Sequence, residues 1–220
     1  SLTDYAKKCI ALGVDGLTLH PRPDHRHATS AGAINLSKIC KQSNIEFNLE
    51  GNPFSLPNQD FIGFKQLCEQ TSPDQVTLVP DDPGQITSDH GWQPGFCDLE
   101  LTHFLDSIKD LNIRTSLFID ARIESVKYAS DFGFDRVEIY TGPLANSLAI
   151  KDFKNFNLHK NAIIECIKTA DKCNLGINAG HDLNLDNIPH LIECGKIDEV
   201  SIGHAIITDA LKFGFENTII

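Results

Sequence analysis

Positive charge is scarce in this chain: 19 lysines and arginines stand against 30 aspartates and glutamates, a formal net charge of −11. Phosphate backbones are bound by basic faces, so this balance argues against nucleic acid as a bulk partner. No apolar run approaches the roughly 18 residues that a membrane span needs, and no signal peptide is recognisable from Ser1. A soluble protein away from membranes is expected. The seven cysteines are odd in number and lack any C-x-x-C spacing, so they read as reduced thiols of a cytoplasmic protein. Methionine is absent altogether, position 1 included, as expected of a processed or trimmed chain.

What is present bounds the architecture. A chain of 220 residues with 41% hydrophobic residues can bury one sizeable core, so residues 1–220 are expected to form a single domain. Four segments share an aspartate followed one residue later by apolar, polar, apolar: Asp15-Gly-Leu-Thr-Leu, Asp74-Gln-Val-Thr-Leu, Asp135-Arg-Val-Glu-Ile and Asp198-Glu-Val-Ser-Ile. Each predicts a loop feeding a short buried strand. A second series opens with asparagine: Asn44-Ile-Glu-Phe-Asn-Leu, Asn112-Ile-Arg-Thr-Ser-Leu and Asn174-Leu-Gly-Ile-Asn-Ala. Asparagine tolerates the left-handed conformation that ends a helix, so these predict helix stop followed by strand.

The two series alternate, and helix-like stretches separate them: Asp4 to Leu12, Ala31 to Gln42, Gln59 to Gln70, Leu99 to Leu111, Ile123 to Phe132, Leu158 to Cys173 and Leu185 to Glu193. Alternating strands and helices call for a parallel sheet, and seven such units predict a (β/α)8 TIM barrel, with a doubly wound open sheet as the alternative. Because Asp15 belongs to the aspartate series, the asparagine-type strand that should precede it falls before Ser1.

In a barrel the chemistry gathers at the C-terminal strand ends. Those ends are His20, Glu50, Pro80, Asp120, Thr141, Asn178 with His181, and Gly203 with His204. Alternation along Ile45 to Glu50 puts Phe47 and Leu49 on one face and Asn48 and Glu50 on the other, where burial could tune a carboxyl for acid-base work. His20 closes its strand just before Pro21, and Arg22, Arg26 and His27 follow within the run LHPRPDHRH, which suits a phosphate clamp beside an acid-base histidine. Glycines in Asn178-Ala-Gly-His181 and Gly203-His204-Ala205 would let backbone N–H groups approach a second phosphate. The stretch Pro80 to Gly95 exceeds the roughly 12 to 15 residues of an ordinary connection, and reads as a lid carrying Thr87 and the only tryptophan, Trp92. His20, Glu50, Asp120, His181 and His204, with His25-x-His27, could alternatively ligate a divalent metal.

The runs DGLTLHPRPDHRH, FNLEGNP, LVPDDPGQITSDHGW, SLFIDA, VEIYTG, INAGHDLN and SIGHAII, in this order, resemble the pyridoxine 5'-phosphate synthase family over nearly the whole chain. The resemblance implies a cytoplasmic (β/α)8 barrel, octameric, condensing 1-deoxy-D-xylulose 5-phosphate with 3-amino-2-oxopropyl phosphate. The products would be pyridoxine 5'-phosphate, phosphate and water, made without metal or organic cofactor. It also implies His20 as proton acceptor, Glu50 as a second acid-base group and His181 as proton donor. Arg22, His27 and Thr87 would hold the sugar phosphate, and Gly203 with His204 the amino-ketone phosphate. Asp182 stands where the family usually has glycine, so only its backbone N–H would serve there. The family's opening Asn-x-Asp-His motif has no counterpart in the chain. Two other functions are weighed beside this one: a metal-dependent sugar-phosphate aldolase or epimerase, and a non-catalytic barrel that binds a phosphorylated ligand.

Overall fold

The computed structural model describes residues 2–82 and 84–220. Among them the strands start where the two repeats predict: β1 Gly16–Leu19, β2 Glu46–Gly51, β3 Gln75–Leu78, β4 Arg114–Ile119, β5 Arg136–Tyr140, β6 Gly176–Gly180 and β7 Glu199–Ser201. They form one sheet in sequence order, β1 to β7, and the described pairings are parallel. The fold class is α/β, of the (β/α) TIM-barrel kind.

The repeats have a local cause. Asn44, Asn112 and Asn174 all sit in the left-handed region, at φ 55°, 54° and 55°, and turn the chain from helix into strand. The aspartates clamp strand starts to their neighbours. Asp74 accepts from the Phe47 N–H at 2.8 Å, and Asp198 accepts from the Ile177 N–H at 2.9 Å. The backbone carbonyls of Asp15 and Asp135 take the N–H groups of Glu46 and Gly176.

The helices are α1 Leu2–Ala11, α2 Ser30–Ser43, α3 Phe64–Thr71, α4 Asp98–Ile108, α5 Ile123–Asp131, α6 Gly142–Ala149, α7 Phe153–Lys172, α8 Ile188–Ile192, α9 His204–Phe213 and α10 Phe215–Ile219. All seven expected helices are present with shifted ends. α3 starts late because Asn58 and Phe61 first close an isolated bridge. α7 starts early because the Asp152 carboxylate caps the Asn155 N–H. The sequence reading passed over α6, α9 and α10. Gly142-Pro143 reads as a turn, yet proline fits the first turn of a helix, where its missing N–H costs nothing.

Two compact units divide the chain. The first comprises Ser1–Thr87, Cys97–Thr115 and Glu216–Ile220, and the second Ser88–Phe96 and Ser116–Phe215. In the first, α2 packs on β2 and α3, and Phe47, Leu49, Val76 and Leu78 are fully buried. The opposite strand face is polar: the Asn48 amide bridges the Thr18 and Thr77 hydroxyls, each at 3.2 Å. In the second unit, α7 packs on α5, α6 and β6. Leu117, Ile119, Val137, Ile139 and Ala179 form the buried side of its strands.

All seven cysteines are free thiols. Burial pushes Cys40 up to about 11, and Cys68 and Cys166 up to about 12, so these thiols are protonated and inert. No helix among the described residues is long and apolar enough to cross a membrane.

Candidate active site

The first unit brings together the ends of β1, β2 and β3. β2 alternates as expected, and its register places Glu50 beside Thr77 while Asn48 pairs with Thr18. His20 follows β1 at once, and its Nδ1 lies 3.0 Å from Glu50 Oε1. The two side chains are only 13% and 15% exposed, so their contact is largely sheltered from water but still reachable. On its other side, His20 Nε2 is 3.9 Å from Asp81 Oδ2. The same oxygen is 3.1 Å from Arg22 Nη2. The result is an alternating row, Glu50, His20, Asp81, Arg22, in which each cation or imidazole faces a carboxylate.

That row alters the expected role of the arginines. Arg22 is buried against Asp81; its Nη1 donates to the Ile86 carbonyl at 3.2 Å and its Nη2 also to the Asp82 carbonyl at 3.4 Å. Arg26 pairs with Asp24 and donates to the Gln85 carbonyl at 3.0 Å. Both guanidiniums therefore fasten the loop after β3 instead of standing open to an anion. The cleft lined by His20, Arg22, Asn52, Ser55 and Asp81 encloses about 20 Å³, space for about one water. A phosphate would have to displace these contacts.

His27 presents its ring to His20 at 5.5 Å and 76°. Burial, then the charges of His20, Arg22 and Arg26, lower its pKa from 6.5 despite the opposing pull of Glu50. His27 is thus neutral near pH 7 and available as a hydrogen-bonding group. His25 sits at φ 59° with both ring nitrogens buried and without a hydrogen-bond partner among the described residues. Among the described residues no three histidine, cysteine, aspartate or glutamate side chains converge as a metal site would need.

The second unit assembles the ends of β4 to β7. His181 and Asp182 follow β6 in the left-handed region, at φ 81° and 55°. The Thr141 hydroxyl can donate to the Gly180 carbonyl at 2.7 Å or to the His181 carbonyl, one proton serving one of them at a time. Asn187 Nδ2 donates to the Asp182 carbonyl at 2.8 Å. The Asp182 carboxylate lies 4.0 Å from His181 Nδ1. Gly180, which the sequence suggests as a phosphate-binding glycine, has a further duty: a Cβ there would fall 2.2 Å from Glu138 Oε1. Glu138 is 3% exposed, so the glycine makes room for a buried carboxylate. Asn178 is fully buried and takes a hydrogen bond from Arg136 at 2.8 Å, which places it beneath the strand ends as a structural group. Gly203 and His204 are exposed where α9 begins, and no side chain among the described residues caps that end.

The expected lid divides. Gly84, Ile86 and Thr87 are exposed, and Pro83 lies outside the described residues. Trp92 is fully buried: its N–H joins the Phe118 carbonyl at 2.8 Å, and its indole donates to the Phe96 carbonyl at 3.3 Å. Asp120 secures the same stretch by accepting from the Gly91 N–H at 2.9 Å and the Gln93 amide at 3.1 Å. The tryptophan is a core anchor, and Asp120 is engaged structurally.

Three groups escaped the sequence reading: Asp81, Glu138 and Tyr140. Asp81 stands in a run of proline, aspartate and glycine that reads as loop. Glu138 occupies the polar position of the Asp135 repeat, and the alternation that singled out Glu50 could have found it.

The family model described as "Pyridoxal phosphate biosynthesis protein PdxJ" matches residues 1–220. The chain belongs to the PdxJ family. Its relatives include a protein of Bacteroides thetaiotaomicron, 45% identical over 221 residues that cover 100% of this chain and 87% of the relative. Another, from Xanthomonas axonopodis pv. citri, is 43% identical, covering 97% and 83%. Both carry the name pyridoxine 5'-phosphate synthase. Among solved structures, a tryptophan synthase of M. tuberculosis superposes with a TM-score of 0.63 at 9% identity, covering 98% of this chain and 82% of that one. Thiamine phosphate pyrophosphorylase from Pyrococcus furiosus superposes at 0.59 with 13% identity, covering 98% and 88%. These structural likenesses speak for the fold alone; membership of the PdxJ family rests on the family match and the sequence relatives.

Proposed function

We propose that this PdxJ-family chain is an enzyme that condenses 1-deoxy-D-xylulose 5-phosphate with 3-amino-2-oxopropyl phosphate, forming pyridoxine 5'-phosphate, phosphate and water. The observation that carries the mechanism is the contact between His20 Nδ1 and Glu50 Oε1 at 3.0 Å. Imine formation, loss of water and loss of phosphate each require a proton to be taken up or given near neutral pH. His20 acts as the first proton acceptor, and Glu50 holds the proton on the far side of the dyad. His181 serves as proton donor in the later steps, its backbone secured by Thr141.

Arg22, His27 and Thr87 receive the sugar phosphate, Arg22 by exchanging the Asp82 and Ile86 carbonyls for phosphate oxygens. Gly203, His204 and the Asp182 N–H receive the second phosphate. The start of α9 supports this assignment: no side chain among the described residues caps it, and the N–H end of a helix favours an anion. No metal or organic cofactor is required in this scheme. The protein works in the cytoplasm as a homo-oligomer, an octamer in this reading, and its inert buried thiols suit a reducing compartment.

The test is turnover with both phosphorylated substrates in the presence of a chelator, following pyridoxine 5'-phosphate. Product formation with one phosphate released per turnover is expected. No product from a folded, full-length protein would overturn the proposal.

A further inference from the structure

The proton donor proposed above must hold its ring in one place; its backbone is left-handed, and the Asp182 carboxylate lies 4.0 Å from its Nδ1. Two aromatic rings flank the imidazole. The Tyr140 ring lies 5.5 Å from it at 82°, and the Phe118 ring 6.0 Å from it at 54°. Tyr140 and Phe118 also touch, at 5.6 Å, so the three rings brace one another. From this closed trio we infer that Tyr140 is a positioning residue for His181, holding the imidazole through its ring; the inference rests on the reading of His181 as proton donor.

Four further observations agree. Tyr140 and Thr141 are adjacent, so one short segment at the end of β5 secures both the ring and the backbone of His181. The tyrosine ring occupies space that only glycine leaves open: a Cβ on Gly142 would fall 2.3 Å from the Tyr140 hydroxyl and 2.4 Å from Cζ. The hydroxyl makes no hydrogen bond among the described residues, which assigns the contact to the ring. Burial first, then the carboxylates of Asp182, Asp89 and Asp120, raise this phenol above its ordinary value of 10. Tyr140 therefore stays neutral and offers His181 packing without charge.

Tyr140→Leu and Tyr140→Phe separate ring from hydroxyl, read by kcat and KM for both substrates and by the imidazole signals of the protein labelled at histidine, without substrate. His181 is assigned by the signal lost in His181→Asn. Tyr140→Leu is expected to lower kcat about tenfold, leave both KM values within about twofold and move the His181 resonances. Tyr140→Phe is expected to keep most of the rate and the resonances. An unchanged kcat in an active Tyr140→Leu enzyme, or equal damage in both variants, would overturn the inference, and so would resonances unmoved by Tyr140→Leu. Resonances that move in Tyr140→Leu, in a protein that makes no product even as wild type, would uphold the positioning contact while removing the proposed reaction.

Discussion

Arg22→Ala is the substitution that most sharply separates a phosphate ligand from a structural ion. In the structure Arg22 is 3% exposed and Asp81 is 4% exposed, with 3.1 Å between Nη2 and Oδ2. Truncating the arginine leaves a carboxylate buried beside His20 without its principal cation. Breaking one side of a buried pair costs about 3–5 kcal/mol, most of it the penalty of stranding the other charge. The hydrogen bonds to the Asp82 and Ile86 carbonyls add less, since water can replace the arginine at an exposed loop. For a protein of this length about 3–5 kcal/mol lowers the thermal midpoint by roughly 6–20 °C. Urea denaturation at pH 7 measures the loss, and an Arg22→Met, Asp81→Asn double variant supplies the control. Removing both charges should recover at least half of the lost stability. A single variant that costs under about 1 kcal/mol would refute the reasoning, for Asp81 would then be compensated elsewhere and Arg22 left for ligand binding alone.

Glu50→Gln preserves the shape of the dyad but removes its acid-base function; it should keep the fold and lower kcat by about 100-fold or more, and near-normal turnover in a rate assay would remove Glu50 from the mechanism. Gly180→Ala forces the Glu138 carboxylate aside, since the new Cβ falls 2.2 Å from its Oε1; overpacking of that kind costs about 1–3 kcal/mol, and a chemical-denaturation midpoint indistinguishable from wild type would show that the glutamate has room to move. His27 has a folded-state pKa below its ordinary 6.5, so between those two values the unfolded chain binds the proton and the folded chain does not. Stability from this group is therefore fully present above about pH 7 and declines as pH falls through about 6.5. His27→Gln should flatten that part of the stability profile, and an identical slope in the variant would count against the shift.

Much of the architecture is written locally. An asparagine that accepts a left-handed backbone ends a helix wherever it stands, and an aspartate carboxylate can clamp a neighbouring strand start. Asn44, Asn112, Asn174, Asp74 and Asp198 therefore mark strand starts in the sequence itself. The alternation of period two along β2 likewise separated Asn48 and Glu50 from Phe47 and Leu49. Proline at Pro21 set His20 at the end of its strand, and the strand ends named the acid-base candidates. Helix boundaries were less legible because they depend on caps and bridges such as Asp152 with Asn155 and Asn58 with Phe61.

The partners of buried groups depend on strand register, which no local pattern states. A cluster of arginines after β1 reads as an anion site because charge looks available in a sequence. Only the approach of β1 to the loop after β3 gives Arg22 its aspartate and its carbonyls. Trp92, placed in a polar, glycine-rich stretch, looks like part of a lid until the Phe118 carbonyl takes its N–H and buries it. Gly180 looks like a phosphate-binding glycine until β5 sets Glu138 against it, and Tyr140 acquires its contact with His181 through the same pairing of β5 with β6. The sequence by itself determined the order of strands and helices and the chemical types at the strand ends, since those follow from backbone preferences over a few residues. Which charges are free, which are neutralised and which ring holds His181 were decided by the tertiary structure, because these depend on distances between segments far apart along the chain.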